Sequence, residues 1–288
     1  MADGTVTDPL REFMAGATPA SFDARPPIAV VVSPKGGTGK TMVAVNMAIA
    51  LARRAPTVLV DLDVIAGDVE YALRSHPIHR LDDLVQKVNA NQITDIEAML
   101  TPHPTGVDAL CAPESPIVAD QLSPVDSFTA IDRLIDLRRP LVLDTGSGIS
   151  AFTIGALDRA THVLLVSGTD VASVHAARKM IETMAKMAMD AGRIRLVINK
   201  ANSRLGLAPS DVEEVLGLGA SLTIPDLPVI AAAVNRGIPI TESAPGIRVS
   251  RRFFAFADEL VGLDAAASGR GLRHIIRRRR PTTHKETP

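Results

Sequence analysis

The chain is poor in sulfur and in rings: 288 residues hold one cysteine, no tryptophan, one tyrosine and seven phenylalanines. A lone thiol, Cys111, cannot close an internal disulfide, which agrees with a reducing compartment; its apolar neighbours predict a small buried side chain rather than a nucleophile. No apolar run approaches the ~18 residues that cross a bilayer. The polar, acidic start from Met1 to Asp8 lacks the basic and apolar regions of a secretory leader, so a cytoplasmic location is expected. Metal-cluster spacing is missing too: Pro77 between His76 and His79 disfavours a shared helical face, and no cysteine or second cluster lies near. What remains is aliphatic and balanced in charge, with 46% hydrophobic residues, 22% charged residues and a net charge of −1. Such a chain can bury roughly three quarters of its unfolded surface and sits near the upper size for one domain.

Short, β-branched apolar runs alternate with stretches of helical period. Strands are expected at Ile28 to Ser33, Thr57 to Asp61, Gly106 to Cys111, Pro140 to Asp144, His162 to Ser167, Arg193 to Asn199 and Ala220 to Ile224. Helices are expected at Lys40 to Arg53, Pro124 to Leu137, Val171 to Asp190, Pro209 to Leu216 and Val249 to Val261. This βα repetition predicts an α/β fold, a doubly wound, mostly parallel sheet with helices on both faces. Ligands in such sheets bind beyond the carboxyl ends of the strands. Met180, Met184 and Met187 recur at helical spacing and read as core or partner-helix packing.

The first of those strand ends carries the chemistry. Ser33-Pro34-Lys35-Gly36-Gly37-Thr38-Gly39-Lys40-Thr41-Met42 is a glycine-rich turn between a strand and a helix. Converging backbone N–H groups can wrap a triphosphate only where residues without Cβ let the chain turn tightly, hence Gly36, Gly37 and Gly39. Lys40 can reach the β- and γ-phosphates, Thr41 offers a hydroxyl to Mg2+, and the helix aims its positive end at the anion. Pro34 stands where the strict G-x-x-x-x-G-K-[ST] pattern has its first glycine, so the match is to the variant K-G-G-T-G-K-T. Two further strands emerge into carboxylates, Asp61 and Asp63 after one and Asp144 after the other, where they can meet a metal and an attacking water. Aspartate also ends strands simply as a turn former. Asn199 ends a later strand, where its amide could pair with an adenine edge or shape a turn.

Lys35 to Thr41, followed by Val45-Asn46-Met47-Ala48, resembles the deviant Walker A motif of the MinD/ParA ATPases, P-loop NTPases, over about Ile28 to Gly262. The resemblance implies an ATP/ADP and Mg2+ site, with Gly36, Gly37, Thr38, Gly39, Lys40, Thr41 and Met42 cradling the nucleotide. It implies that Lys35 crosses a dimer interface to the partner's phosphates, so that ATP binding and homodimerisation become one linked equilibrium. It places Asp63 in switch I beside the attacking water and the metal, with Asp61 near the metal or in supporting hydrogen bonds. Asp144 becomes the Walker B carboxylate holding magnesium through water. Asn199 then contacts adenine, and Pro225, within Ile224-Pro225-Asp226, supplies the other wall. Many relatives carry proline within D-x-P-x-G, whereas Thr145-Gly146-Ser147 stands here, which predicts a more mobile loop. Asp63 to Val69, Leu81 to Leu84, Gly106 to Glu114 and Asn235-Arg236-Gly237-Ile238-Pro239 resemble the CpaE/TadZ branch, the localisation ATPases of Tad-type pilus assembly.

Three parts are therefore expected: a flexible segment over 1–25, an ATPase domain over 26–264 and a basic tail over 265–288. Residues 267–288 hold seven basic residues and one acidic, a net +6 that leaves about −7 for the rest of a chain whose total is −1. Such a block reads as a solvated tail. Leu272, Ile275 and Ile276 at helical spacing beside the arginines support instead an anionic membrane anchor, at about 1 kcal/mol per basic residue. Nucleic-acid phosphates rank below lipid, since no aromatic residue interleaves with the arginines. Two functions follow: a slow, partner-stimulated ATPase switch, or a nucleotide-binding scaffold that marks a cell position with little turnover.

Overall fold

The computed structural model describes residues 10, 13–14, 26–201 and 206–263; the 265–288 tail lies outside them. Eight strands form one sheet, ordered β3-β4-β2-β5-β1-β6-β7-β8. They are β1 (Ile28–Ser33), β2 (Thr57–Leu62), β3 (Thr101–Pro102), β4 (Val107–Leu110), β5 (Leu141–Ser147), β6 (His162–Ser167), β7 (Ile194–Ile198) and β8 (Ala220–Thr223). All neighbours are parallel except the β3–β4 pair at one edge. β3 escaped the sequence reading because two residues leave no period to detect.

Each central strand alternates between two cores. Val30, Val32, Val58 and Val60 face one layer, with α3 (Leu81–Asn89), α5 (Pro124–Ile135), α6 (Ala151–Arg159), α7 (Val171–Lys186) and α8 (Pro209–Leu216). Ala29, Val31, Leu59 and Val142 face the other, covered by α1 (Lys40–Ala52) and α11 (Arg248–Leu260). α1 is buried from Val43 to Leu51 without interruption, because the sheet covers one side and Phe253 and Phe256 of α11 belong to the same core on the other. Its alanines allow that close double packing. The remaining helices, α2 (Val69–Leu73), α4 (Pro116–Asp120), α9 (Pro228–Asn235) and α10 (Ile240–Ser243), are short.

Within the first 25 residues, Leu10 is buried and Phe13 and Met14 pack against the core that holds Val212 and Leu216. Met180 and Met184 are core residues, while Met187 is partly exposed. Cys111 is buried, and that burial pushes its thiol up to about 12. Among the described residues no helix is long and apolar enough to cross a membrane.

Candidate nucleotide site

β1 is the chain's first strand yet sits inside the sheet between β5 and β6, so the order reverses around it and a crevice opens beyond its carboxyl end. Residues 34–39 fill that position. Gly37 and Gly39 adopt φ of 72° and 91°, a left-handed backbone that glycine takes without strain. A Cβ on Gly39 would also stand 2.4 Å from Asn199 Nδ2. The loop is braced from within by Thr38, whose hydroxyl donates to Ser33 Oγ at 2.8 Å. It is braced from outside by Asn199 Nδ2, which donates to the Thr38 carbonyl at 2.7 Å, while Asn199 Oδ1 accepts from the Lys200 N–H.

Lys40 opens α1 and is 7% exposed. Among the described residues its ammonium has one hydrogen-bond partner, the neutral Ser147 Oγ at 3.3 Å. A buried cation whose one hydrogen bond goes to a neutral oxygen is costly, and an anion completes it. Lys35 lies apart: its side chain is 42% exposed, and its ammonium stands 4.0 Å from an Asp170 carboxylate oxygen. The Asp170 carboxyl is held below its usual range first by Ser173, whose hydroxyl and N–H donate to it, and then by Lys35.

Two buried carboxylates face each other in register at the ends of β2 and β5. Asp61 accepts from the Asp63 and Val69 N–H groups, each at 3.1 Å, and so closes the 63–69 loop on itself. Gly67 belongs to that closure, since a Cβ there would stand 2.6 Å from Asp61 Oδ2. Asp144 differs: both of its oxygens are buried, and among the described residues neither has a hydrogen bond of full geometry. Burial pushes its carboxyl up to about 7, held back from rising further by the nearby Thr41 hydroxyl and Lys40 ammonium.

A cleft of about 740 Å³ opens over the phosphate loop; Gly36, Gly37, Gly39, Lys40, Thr41 and Met42 line one end of it, beside Asp63, Asp68 and Ser147, whereas Lys35, Asp61 and Asp144 are not among its lining residues. Its other wall is Tyr71 and Ala72 of α2 together with Ile230 to Ile240. Asn199 and Pro225 are not among its lining residues. The sequence reading missed the α9 wall as part of the site. A signal existed at Gly237, whose φ is 62° and whose Cβ would stand 2.4 Å from the Tyr71 carbonyl, so this loop needs glycine to close against α2. It also missed Asn46, whose buried Oδ1 accepts from both the N–H and the hydroxyl of Thr241 and so ties α1 to α10.

The segment after Asp144 does not leave the sheet as a loop. β5 continues through Thr145 and Gly146 to Ser147, with an irregularity that shifts its register against β1 between Val31 and Ser33, and pairs Ser147 with Ser33. The Thr145 hydroxyl donates to the Val31 carbonyl and the Gly148 N–H to the Ser33 carbonyl, both at 2.9 Å.

A family model for the CobQ/CobB/MinD/ParA nucleotide binding domain matches residues 29–240. The chain belongs to this family. Septum site-determining protein MinD of Thermotoga maritima is 26% identical over 244 residues, covering 82% of this chain and 88% of that one. The cell division ATPase MinD of Pyrococcus furiosus superposes with a TM-score of 0.71 at 25% identity, covering 84% of this chain and 100% of that one. MinD of Pyrococcus horikoshii, solved in complex with Mg-ADP, gives 0.72 at 22% identity over 83% and 98%. The MinD/ParA fold thus accounts for the sheet order, and the matched span takes in the phosphate loop, both carboxylate strand ends and the α9 wall.

Magnesium suits the donors present. Among the described residues no three carboxylate, histidine or cysteine side chains converge on one point. A hard cation here would draw on phosphate and water, with Thr41 and Asp144 as the protein groups at hand.

Proposed function

We propose that this chain is an ATP-dependent dimerisation switch that hydrolyses ATP slowly with Mg2+ and positions a partner machinery. The observation that carries the reading is the buried Lys40 ammonium, whose one hydrogen-bond partner among the described residues is a neutral hydroxyl. A phosphate supplies the missing charge. Thr41 and Asp144 would hold magnesium, which when bound polarises the terminal phosphoryl group. Asp63 orients the attacking water, and Asp61 acts through the loop it closes. Lys35, half-exposed and outside the cleft lining, is free to reach a second copy's nucleotide once it leaves Asp170. The Mg-ADP bound to the Pyrococcus horikoshii relative supports the choice of ligand.

The resemblance of the Asn235–Pro239 loop to the CpaE/TadZ branch favours pilus or secretion machinery as the partner, with division machinery, the setting of the Thermotoga maritima septum site-determining relative, as the other candidate. The arginines of 265–288 favour an anionic membrane face as the place of action, with a ParA-like DNA role and a scaffold with little turnover as the alternatives. Light scattering tests the switch directly. The parent chain with ATP and Mg2+ should double in mass, and Lys35→Ala should stay monomeric. An unchanged mass in both rejects ATP-driven dimerisation.

A further inference from the structure

Ser147 follows Gly146, the position at which this chain departs from the D-x-P-x-G form of its relatives, and its placement is fixed by the backbone. Because Gly146 rather than proline precedes it, β5 runs on to pair Ser147 with Ser33, at the root of the phosphate loop. The Gly148 N–H to Ser33 carbonyl bond locks the segment immediately after it. Its hydroxyl stands 3.5 Å from the point a Cβ on Gly36 would occupy, so it faces a bare stretch of the loop. Ser147 also lines the cleft with Lys40, Thr41 and Asp63.

A serine hydroxyl has one donor and two acceptor positions. Here the oxygen accepts from Lys40 Nζ, and among the described residues no acceptor takes its proton. We propose that Ser147 reads the terminal phosphate: its oxygen keeps the Lys40 bond while its O–H donates to a γ-phosphate oxygen. ADP leaves that proton to water, so Ser147 favours the triphosphate over the diphosphate. Because the hydroxyl rides on the β5 extension beside Asp144, the same contact links phosphate occupancy to the end of the metal-side strand.

This deepens the ATP reading above and rests on it. The test is calorimetric titration of the full chain with Mg2+ and either ADP or a non-hydrolysable ATP analogue, in the parent, Ser147→Ala and Ser147→Thr. A hydrogen bond to a charged group corresponds to about tenfold in affinity. Ser147→Ala should therefore lose about tenfold of the analogue-over-ADP preference while ADP affinity stays within about twofold. Ser147→Thr, which keeps a hydroxyl, should retain the preference. An unchanged ratio in Ser147→Ala overturns the inference and leaves the ATP reading standing, and equal losses for both nucleotides also overturn it by making Ser147 only structural. A parent chain that binds neither nucleotide overturns the ATP reading and this inference with it.

Discussion

The ends of β2 and β5 present one residue type at one depth in two different conditions. Asp61 and Asp144 pair in register, both are buried, and burial raises both carboxyls, Asp61 well above its usual range and Asp144 to about 7. Asp61 is completed by its own chain, because the 63–69 loop returns two N–H groups to it. Among the described residues no full-geometry hydrogen bond reaches Asp144, since β5 runs on past it, with a shift of register against β1, to Ser147, and its next donors go to the β1 carbonyls. A buried polar group left without partners is retained against a stability cost, which is the pattern expected where a ligand completes it. Of the two, Asp61 holds its loop together, and Asp144 is the carboxyl that the loop leaves open.

Opposite stability effects would sharpen that contrast. Asp61→Ala leaves the Asp63 and Val69 N–H groups without their acceptor, so urea denaturation should show a loss of roughly 2–4 kcal/mol. Asp144→Asn removes a buried charge that has no full-geometry hydrogen bond among the described residues and that the nearby Lys40 ammonium only partly offsets, so the same measurement should stay within about 1 kcal/mol of the parent or rise above it. Magnesium should reverse the ranking: titrated in the presence of ATP, Asp144→Asn should need tenfold or more Mg2+ to reach the parent's nucleotide affinity. Equal destabilisation by both substitutions would erase the distinction between a completed and an open carboxylate.

What the sequence made legible follows the same division. The central strands and the phosphate loop were readable because each rests on local chemistry: short apolar runs, glycines where the backbone turns left-handed, a lysine and a threonine opening a helix. The β3 edge, the α9 wall and the Asn46–Thr241 tie were not, since they depend on which distant segments meet. Asn199 shows how one residue type carries two meanings. Both an adenine contact and a turn were consistent with its position at a strand end, and the structure engages its amide in the Thr38 carbonyl and its own following N–H. Thr145-Gly146-Ser147 read as a loosened loop because proline was absent. The same absence let the β1–β5 ladder continue, since Gly146 fits a strand and Ser147 could then meet Ser33.

The smallest expected effect sets Asp144 against a buried group of the opposite kind. His162, at the start of β6, is lowered to about 4, first by burial and then by the Arg195 charge. The unfolded chain therefore binds more protons at His162 between about pH 4 and 6.5, and stability from this group is lost as pH falls through that window. For Asp144 the folded chain holds the proton from about pH 4 to 7, so its contribution falls as pH rises over that range. The two slopes oppose each other from about pH 4 to 6.5 in protein free of nucleotide and Mg2+. Replacing Asp144 with asparagine removes the falling term and leaves the His162 term. The melting temperature of Asp144→Asn should climb more steeply than the parent's between pH 4 and 6.5, by a few degrees across the window. Parallel curves would mean that Asp144 is ionised throughout, and its open oxygens would then be balanced by the Lys40 ammonium rather than by a proton.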